Sequence, residues 1–419
     1  MKMNKLTAAI LIAMLVGILT GQGYRMFAPD QAAGFASDIT ILTDIFLRLI
    51  KMIIAPLVFT TLVVGIAKMG DTRTVGRIGA KTLGWFMLAS LLSLTLGLVM
   101  VTLMQPGVGL SLSLPDDAAS SGVVAGAISL KDFVTHAIPK SVVEAMATNE
   151  ILQIVVFSLF FGLAAAALGD AAKPVVKLMA SGAEIMLKVT GYVMNFAPFA
   201  VFGAIAAMVA KEGLGILVTY GSFMAQFYIA LACLWLLLIA MGSVFLRGRV
   251  IKLLAMIREP ILLAFSTASS EAAYPKTLDR LEKFGCDKRI ASFVLPMGYS
   301  FNLDGSMMYC TFAVMFIAQA YGIELSMAQQ ITMLLLLMVT SKGMAGVPRA
   351  SLVVIAATLN QFHIPEAGIL LLLGIDHFLD MGRSATNVLG NAIAASVVAK
   401  TEDSLGETEP LGEADTAKA

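Results

Sequence analysis

The sequence predicts an all-α polytopic membrane protein, and three observations carry that prediction. Of 419 residues, 58% are hydrophobic and only 14% charged, with a mean hydropathy of +0.86, far from the composition of a soluble domain. Apolar runs long enough to cross a hydrocarbon core, which needs about 20 helical residues, recur along the chain. In the last third, polar and glycine-rich motifs interrupt such runs in an order that occurs twice. A net charge of +1 argues against nucleic acid as a partner and leaves membrane lipid as the surroundings. Cys233, Cys286 and Cys310 have no disulfide or zinc spacing, and the 26 methionines suit apolar packing.

Lys2 and Lys5 before an apolar run to Gly21 resemble a secretory leader, but with so many spans following, an uncleaved first helix is expected. Helical spans are expected near Leu6–Met26, Ile39–Met69, Leu83–Met104, Ile151–Leu168, Val175–Val209 and Leu217–Leu246. Charge between them sets the topology. Lys2, Lys5, Arg73, Arg77, Lys81, Lys173, Lys177, Arg247, Arg249 and Lys252 fall on one side, and Arg25, Lys131, Lys140 and Lys211 on the other, which puts the N-terminus in the cytoplasm. Gln105–Glu150 reads as a long external loop with a short amphipathic piece. The polar tail after Lys400 is expected to be disordered and cytoplasmic.

Between the cytoplasmic cations Arg247–Lys252 and Lys283–Arg289, the apolar stretch Pro260–Tyr274 is too short to cross and return. It reads as a re-entrant hairpin with the tip Ser266–Glu271, whose hydroxyls can satisfy freed backbone groups or meet a ligand. The next span, Ile290–Ala320, carries Asn302–Ser306, NLDGS, an expected unwound turn whose carbonyls and carboxylate can hold a cation. Gln329–Gln361 is interrupted by Ser341–Arg349, SKGMAGVPR, a second hairpin entering from outside. The closing helix, Ala367–Lys400, has Asp376, Asp380, Arg383, Asn387 and Asn391 spaced by four, three, four and four residues, one helical stripe. Hairpin and polar broken helix thus recur from opposite faces, an inverted repeat with its site at the midplane.

Charge at bilayer depth costs roughly 2.5–3.5 kcal/mol per residue on insertion scales, so this stripe faces a protein interior or a water-filled site. A carboxylate and a guanidinium one turn apart suit a ligand with both an ammonium and a carboxylate. An internal Asp–Arg pair that only locks helices together is the plainer alternative.

STASSE, NLDGS, SKGMAGVP and DMGRSATNVLGN, in this order over nearly the whole chain, resemble the dicarboxylate/amino acid:cation symporter family, the glutamate and aspartate transporters. The resemblance implies eight transmembrane helices plus two re-entrant hairpins, in a homotrimer of the bacterial cytoplasmic (inner) membrane with both termini in the cytoplasm. It implies a scaffold from residues 1–81 (helices 1 and 2), 105–168 (external loop and helix 4) and 169–216 (helix 5). The transport part that moves in an elevator-like way would be 82–104 (helix 3), 217–246 (helix 6) and 247–400 (hairpins with helices 7 and 8), followed by the tail 401–419.

By the same resemblance, Arg383 takes the side-chain carboxylate of an acidic amino acid, as a guanidinium fork favours. Asp380 takes the α-ammonium, and Asn387 with Ser306 the α-carboxylate. Ser384 stands where a threonine is usual, and Ser269, Ser270 and Val347 offer main-chain groups. Cation ligands are Gly298, Ser300, Asn302, Asp304, Asn387 and the carbonyls of Ser341, Lys342 and Met344, with Ser90 near a further site. Asn391 replaces an aspartate ligand of sodium-coupled archaeal relatives, while Phe86 and Ala89 replace a tyrosine and a threonine. Fewer sodium ions, or protons, are therefore expected to drive uptake, and no other cofactor. Asp376 either holds the NLDGS segment or binds an ion. Glu271 is a proton-carrier candidate or an acid capping a short helix at the tip.

Neither a nucleophile–base arrangement nor a metal-ligand set suggests an enzyme. One asymmetric Asp–Arg pair is unlike the rings of a channel. The expected function is symport of glutamate or aspartate coupled to Na+ and/or H+, with C4-dicarboxylates such as succinate or malate as the alternative. Asp380 decides between them, because a dicarboxylate has no ammonium and dicarboxylate members of the family lack aspartate there.

Overall fold

A computed structural model describes residues 5–69, 72–108, 138–213, 220–341, 350–373 and 375–408, and among these the regular structure is helical. The helices are α1 Lys5–Phe27, α2 Pro29–Met69, α3 Thr72–Met104, α4 Val142–Ala147, α5 Ile151–Leu168, α6 Lys173–Met194, α7 Ala197–Glu212 and α8 Gly221–Leu246. Then come α9 Arg249–Thr267, α10 Tyr274–Phe284, α11 Lys288–Phe301, α12 Asp304–Ala320, α13 Met327–Thr340, α14 Ala350–Gln361 and α15 Asp376–Thr401. Six stretches among the described residues are long and apolar enough to span a membrane; one of them, Ile151–Met194, holds two helices joined by a short turn. The chain is an all-α polytopic membrane protein.

Several elements differ from their expected bounds. The 41-residue α2 begins ten residues before Ile39; at 1.5 Å per residue it is about 60 Å long, twice a bilayer core, so it is tilted in the bilayer or extends beyond it. α3 likewise starts at Thr72 rather than Leu83. The single span expected over Val175–Val209 is two helices, because Pro198 lies in the first turn of α7 and that helix restarts after Asn195–Phe196; a proline ring is tolerated there and not in a helix interior. The amphipathic piece of the external loop is α4, whose Ser141 side chain accepts from Glu144 N. Residues 109–137 lie outside the described ones.

The first hairpin forms as the charge pattern requires. α9 and α10 are its arms, and the turn runs through Ala268, which is left-handed at φ 48°, into a 3-10 turn at Glu271–Ala273. The tip hydroxyls serve the backbone: Ser266 donates to Leu262 O at 2.6 Å, Thr267 to Leu263 O at 2.7 Å, and Ser269 Oγ accepts from Ala272 N at 3.2 Å. Buried Glu259 joins the arms, 2.5 Å from Arg280 and 3.2 Å from Lys276. The NLDGS helix is broken as expected, with Asn302 and Leu303 outside helical geometry between α11 and α12. α13 and α14 are the arms of the second hairpin; of its tip, only Ser341 lies among the described residues.

The last helix is not continuous from Ala367. Short turns at Glu366–Ile369 and Leu370–Leu373 precede it, and α15 begins at Asp376. An acid in the first turn meets the positive end of the helix dipole, which favours starting there. α1, α2 and α5–α7 pack on one another. α3, α8–α12 and α15 form a second group, in which α3 lies along α12, and α15 against α8, α9, α11 and α12; α11 also touches α2 and α5 across the seam.

The tail expected to be disordered is held as far as Thr408. Glu402 lies 2.7 Å from Arg77 and 2.6 Å from Lys81. Leu405 bridges Cys286, and Gly406 N donates to Gly285 O at 2.8 Å. Arg249 donates to Gly406 O at 2.6 Å and to Phe284 O at 3.2 Å. The composition of the tail is that of a solvated segment, but its main chain finds partners between α10 and α11. Residues 409–419 lie outside the described ones. Arg77, Lys81 and Arg249, assigned to one side by charge, are gathered at one end by these contacts.

Candidate functional site

Helix α15 supplies the charged part of the site. Arg383 is 1% exposed, and its Nη2 lies 3.0 Å from Asp380 Oδ1 and 3.2 Å from Asp376 Oδ1. Its guanidinium stacks 4.1 Å from the ring centre of Tyr309 in α12, a cation–π contact, and the Tyr309 hydroxyl donates to Asp376 Oδ1 at 3.3 Å. Nε and Nη1 of Arg383 are buried without a hydrogen-bond partner, N–H donors on different edges of the guanidinium that an acceptor can take up. The Asp376 side chain is 4% exposed, while that of Asp380 is 35% exposed. Asp380 is therefore the acid that a ligand can reach.

Asp376 was expected to hold the NLDGS segment or bind an ion. Its carboxylate is shared by Arg383 and by Tyr309, which lies three residues beyond the NLDGS segment. Both acid partners of Arg383 belong to its own helix, and Tyr309 ties the pair to α12. Asn387 joins the same two helices. Its Oδ1 accepts from Gly305 N at 2.9 Å and Ser306 N at 3.4 Å, and its Nδ2 donates to Ser306 Oγ at 3.2 Å. The expected partners Asn387 and Ser306 are thus brought together, and the amide caps the start of α12. Ser384 is buried on the same helix. Beside it, Thr386 accepts from Trp235 Nε1 of α8 at 2.8 Å. Ser269 and Ser270 lie at the turn of the first hairpin, whose arm α9 packs on α15. Val347, Lys342 and Met344 fall outside the described residues.

The broken helix supplies the oxygen-rich part. Asp304 is fully buried. Its Oδ1 lies 3.1 Å from Ser93 Oγ, and its Oδ2 accepts from Asn302 Nδ2 at 2.9 Å. Asn302 also donates to Asn391 Oδ1 at 3.2 Å, so α15 touches this cluster as well. Gly298 O accepts from Asn302 N at 2.8 Å. The oxygens Ser300 Oγ, Asn302 Oδ1 and Ser341 Oγ are buried without partners. Ser90 Oγ is 3.5 Å from Phe301 O, while Phe86 and Ala89 are buried beside it. A carboxylate with amide, hydroxyl and carbonyl oxygens is a hard donor set, suited to an alkali cation rather than a transition metal. Among the described residues no group of three or more His, Cys, Asp or Glu gathers as a transition-metal site would.

Glycine makes this fit possible at two points. A Cβ on Gly390 would overlap the Asp304 carboxylate, and one on Gly298 would overlap the Asn391 amide.

Ser93 was missed. Its signal was present, since it follows Ser90 by three residues and so shares a helix face with it, but nothing in α3 alone says that Asp304 lies opposite. Glu271, partly exposed at the start of the 3-10 turn that leads into α10, sits among Ile54, Val58, Ile151, Tyr274, Pro296 and Tyr299, facing α2 and α5. Along the site, Asp304, Asp376 and Asp380 oppose one guanidinium, three negative charges against one positive. Two unit charges about 4 Å apart interact by about 4 kcal/mol at an effective dielectric of 20, so such an excess attracts cations.

The chain matches the family model described as the sodium:dicarboxylate symporter family over residues 6–401. It is 40% identical over 405 residues to a proton/sodium-glutamate symport protein of Bacillus caldotenax, covering 95% of this chain and 94% of that one. It is 41% identical over 413 residues to a C4-dicarboxylate transport protein of Laribacter hongkongensis, covering 97% and 92%. A proton/glutamate-aspartate symporter of Bacillus subtilis is 39% identical over 411 residues, with 97% of each chain covered.

Proposed function

The chain belongs to the sodium:dicarboxylate symporter family, a family of transporters and not of enzymes, and on that premise we propose that its substrates are glutamate and aspartate. The observation that carries this reading is the pair on α15. Asp380, partly exposed, lies 3.0 Å from Arg383, and Nε and Nη1 of Arg383 keep N–H groups for an acceptor. An incoming ammonium takes over Asp380, while the side-chain carboxylate takes the freed guanidinium. Asn387 and Ser306 exchange their mutual hydrogen bond for the α-carboxylate, with main-chain groups of the two hairpin tips, Ser269, Ser270 and Val347 among them, closing over it. A dicarboxylate would set a second anion against Asp380. The relatives named for C4-dicarboxylates keep that alternative in view for the assay.

In the same reading, a cation held by Asp304, Asn302, Ser300 and Gly298, with Asn387 and the carbonyls at Ser341, Lys342 and Met344, offsets the negative excess of the site. Na+ and/or H+ couples uptake, with Glu271 as the proton-carrier candidate. Phe86 and Ala89 withhold oxygens from further sodium sites, and Asn391 offers an uncharged amide oxygen in place of a carboxylate, though Ser93 keeps a hydroxyl at Asp304 and Ser90 one near Phe301 O. The chain works as a homotrimer in a bacterial inner membrane, its termini in the cytoplasm with the excess of Lys and Arg. α1, α2 and α5–α7 are its scaffold, and the second packing group together with the second hairpin, α13 and α14, is the part that moves. Uptake into proteoliposomes under imposed sodium or proton gradients tests this reading. Glutamate and aspartate should accumulate and succinate should not; accumulation of succinate alone would replace it.

A further inference from the structure

A groove of about 340 Å³ opens on the outer surface between α3, α8 and α15, and it plays no part in the site above. Its walls are apolar, with Trp85, Phe245 and Val397 among them, and only Lys81 and Thr401 at one end carry polar side chains. Trp85 and Phe245 meet edge to face at 5.7 Å, which gives the groove a fixed floor. Gly84 leaves it open: a Cβ there would meet nothing within 4 Å.

The polar end is cationic. Lys81 Nζ spends two of its three N–H groups on Glu402 Oε1 at 2.6 Å and Thr401 O at 2.7 Å, leaving the third to donate. Within one helical turn of groove residues in the chain lie Arg77, Lys400 and Arg247, so four cations including Lys81 oppose Glu402 and Asp403. Thr401 ends α15 and Lys81 lies in the third turn of α3, so this end of the groove is at the membrane surface, where headgroups sit. An apolar channel in the hydrocarbon that ends in excess positive charge at the interface complements one kind of molecule, an anionic phospholipid.

We propose that this groove binds an acyl chain of an anionic phospholipid, with the phosphate headgroup held at Lys81. The inference rests on the membrane setting of the helices and is independent of which substrate is transported. Native mass spectrometry of the protein released from nanodiscs of mixed phosphatidylglycerol and phosphatidylcholine tests it, together with a photoactivatable phosphatidylglycerol whose cross-links are mapped by peptide.

Wild type should retain phosphatidylglycerol over phosphatidylcholine at least fivefold and cross-link within α3 and α8 beside Trp85 and Phe245. Gly84→Leu places a side chain in the groove from a position whose Cβ meets nothing within 4 Å, so it should fold with an unchanged melting temperature, lose the bound lipid and lose the cross-link. Lys81→Gln should keep the acyl contact but reduce the preference for the anionic headgroup toward equality. Equal retention of both lipids by wild type would overturn the proposal, as would an unchanged cross-link in Gly84→Leu. Finding the groove cross-linked instead to residues 409–419, or to a second copy of the chain, would assign it another occupant and overturn it equally.

Discussion

Replacing Asp380 by serine separates the two substrate classes, and the geometry says by how much. The Asp380 carboxylate lies 3.0 Å from Arg383 Nη2 and its side chain is 35% exposed. A substrate ammonium about 4 Å from that carboxylate gains about 4 kcal/mol at an effective dielectric of 20, and the water that reaches Asp380 reduces this. A conservative floor is a tenfold loss of glutamate and aspartate affinity, about 1.4 kcal/mol. Succinate experiences the opposite sign: its second carboxylate meets a like charge in wild type, and the substitution also frees Arg383 from one of its two acid partners. Its affinity should rise by a similar factor. Competition of succinate and malate against radiolabelled aspartate, on purified wild type and Asp380→Ser, reads both changes at once. If wild type already prefers succinate, or if the substitution weakens all four ligands alike, the assignment of Asp380 to an ammonium is wrong.

Arg383→Ala should abolish acidic-substrate binding, but it also strands buried Asp376, and removing one partner of a buried pair costs about 3–5 kcal/mol. The double variant Asp376→Asn/Arg383→Ala should therefore recover most of the lost melting temperature without recovering aspartate binding in calorimetry. Reversal potentials in proteoliposomes should give fewer than three sodium ions per substrate, given Asn391, Phe86 and Ala89; three would count against that inference. Hydrogen bonds from Arg77, and then Lys81, hold the Glu402 carboxyl below its usual range. Its stabilisation is thus complete above the unfolded value near 4.3 and fades as pH falls through the lower folded one. With both cations partly exposed to water the contribution is about 1 kcal/mol or less. The melting difference between wild type and Glu402→Gln should be constant from pH 7 to about pH 5 and close below pH 4.

Much of this was legible from sequence because membrane helices report their own length and position. The first hairpin followed from two groups of cations too close in sequence for a double crossing, and the break at Asn302–Leu303 from an aspartate and a glycine in mid-span. The polar stripe of α15 followed from its spacing alone. What was hidden depended on partners far apart in the chain. Ser93 has meaning only opposite Asp304, and Asp376 only beside Tyr309. Glu402 looked like part of a solvated tail until Arg77 and Lys81 stood over it. The split at Asn195–Phe196 was signalled by Pro198 and was passed over because hydropathy runs through it without a change.

The close fit at Gly298 and Gly390 has a mechanical consequence. Along one face of α15, the Asn391 amide rests on α11 and the Asp304 carboxylate rests on α15 itself, each where even a methyl group would not fit. About one turn before these points along α15, Asn387 grips the first turn of α12. Fitted closely to α11 at one point and to α12 at two, α15 resists sliding or rolling past either of them. Held this way they form a single stiff beam, which fixes the offset between the seat at Arg383 and the seat at Asp304. Any change in one seat that the other is to feel must then come from parts that are free to hinge, and the hairpins are the elements that turn back at this depth.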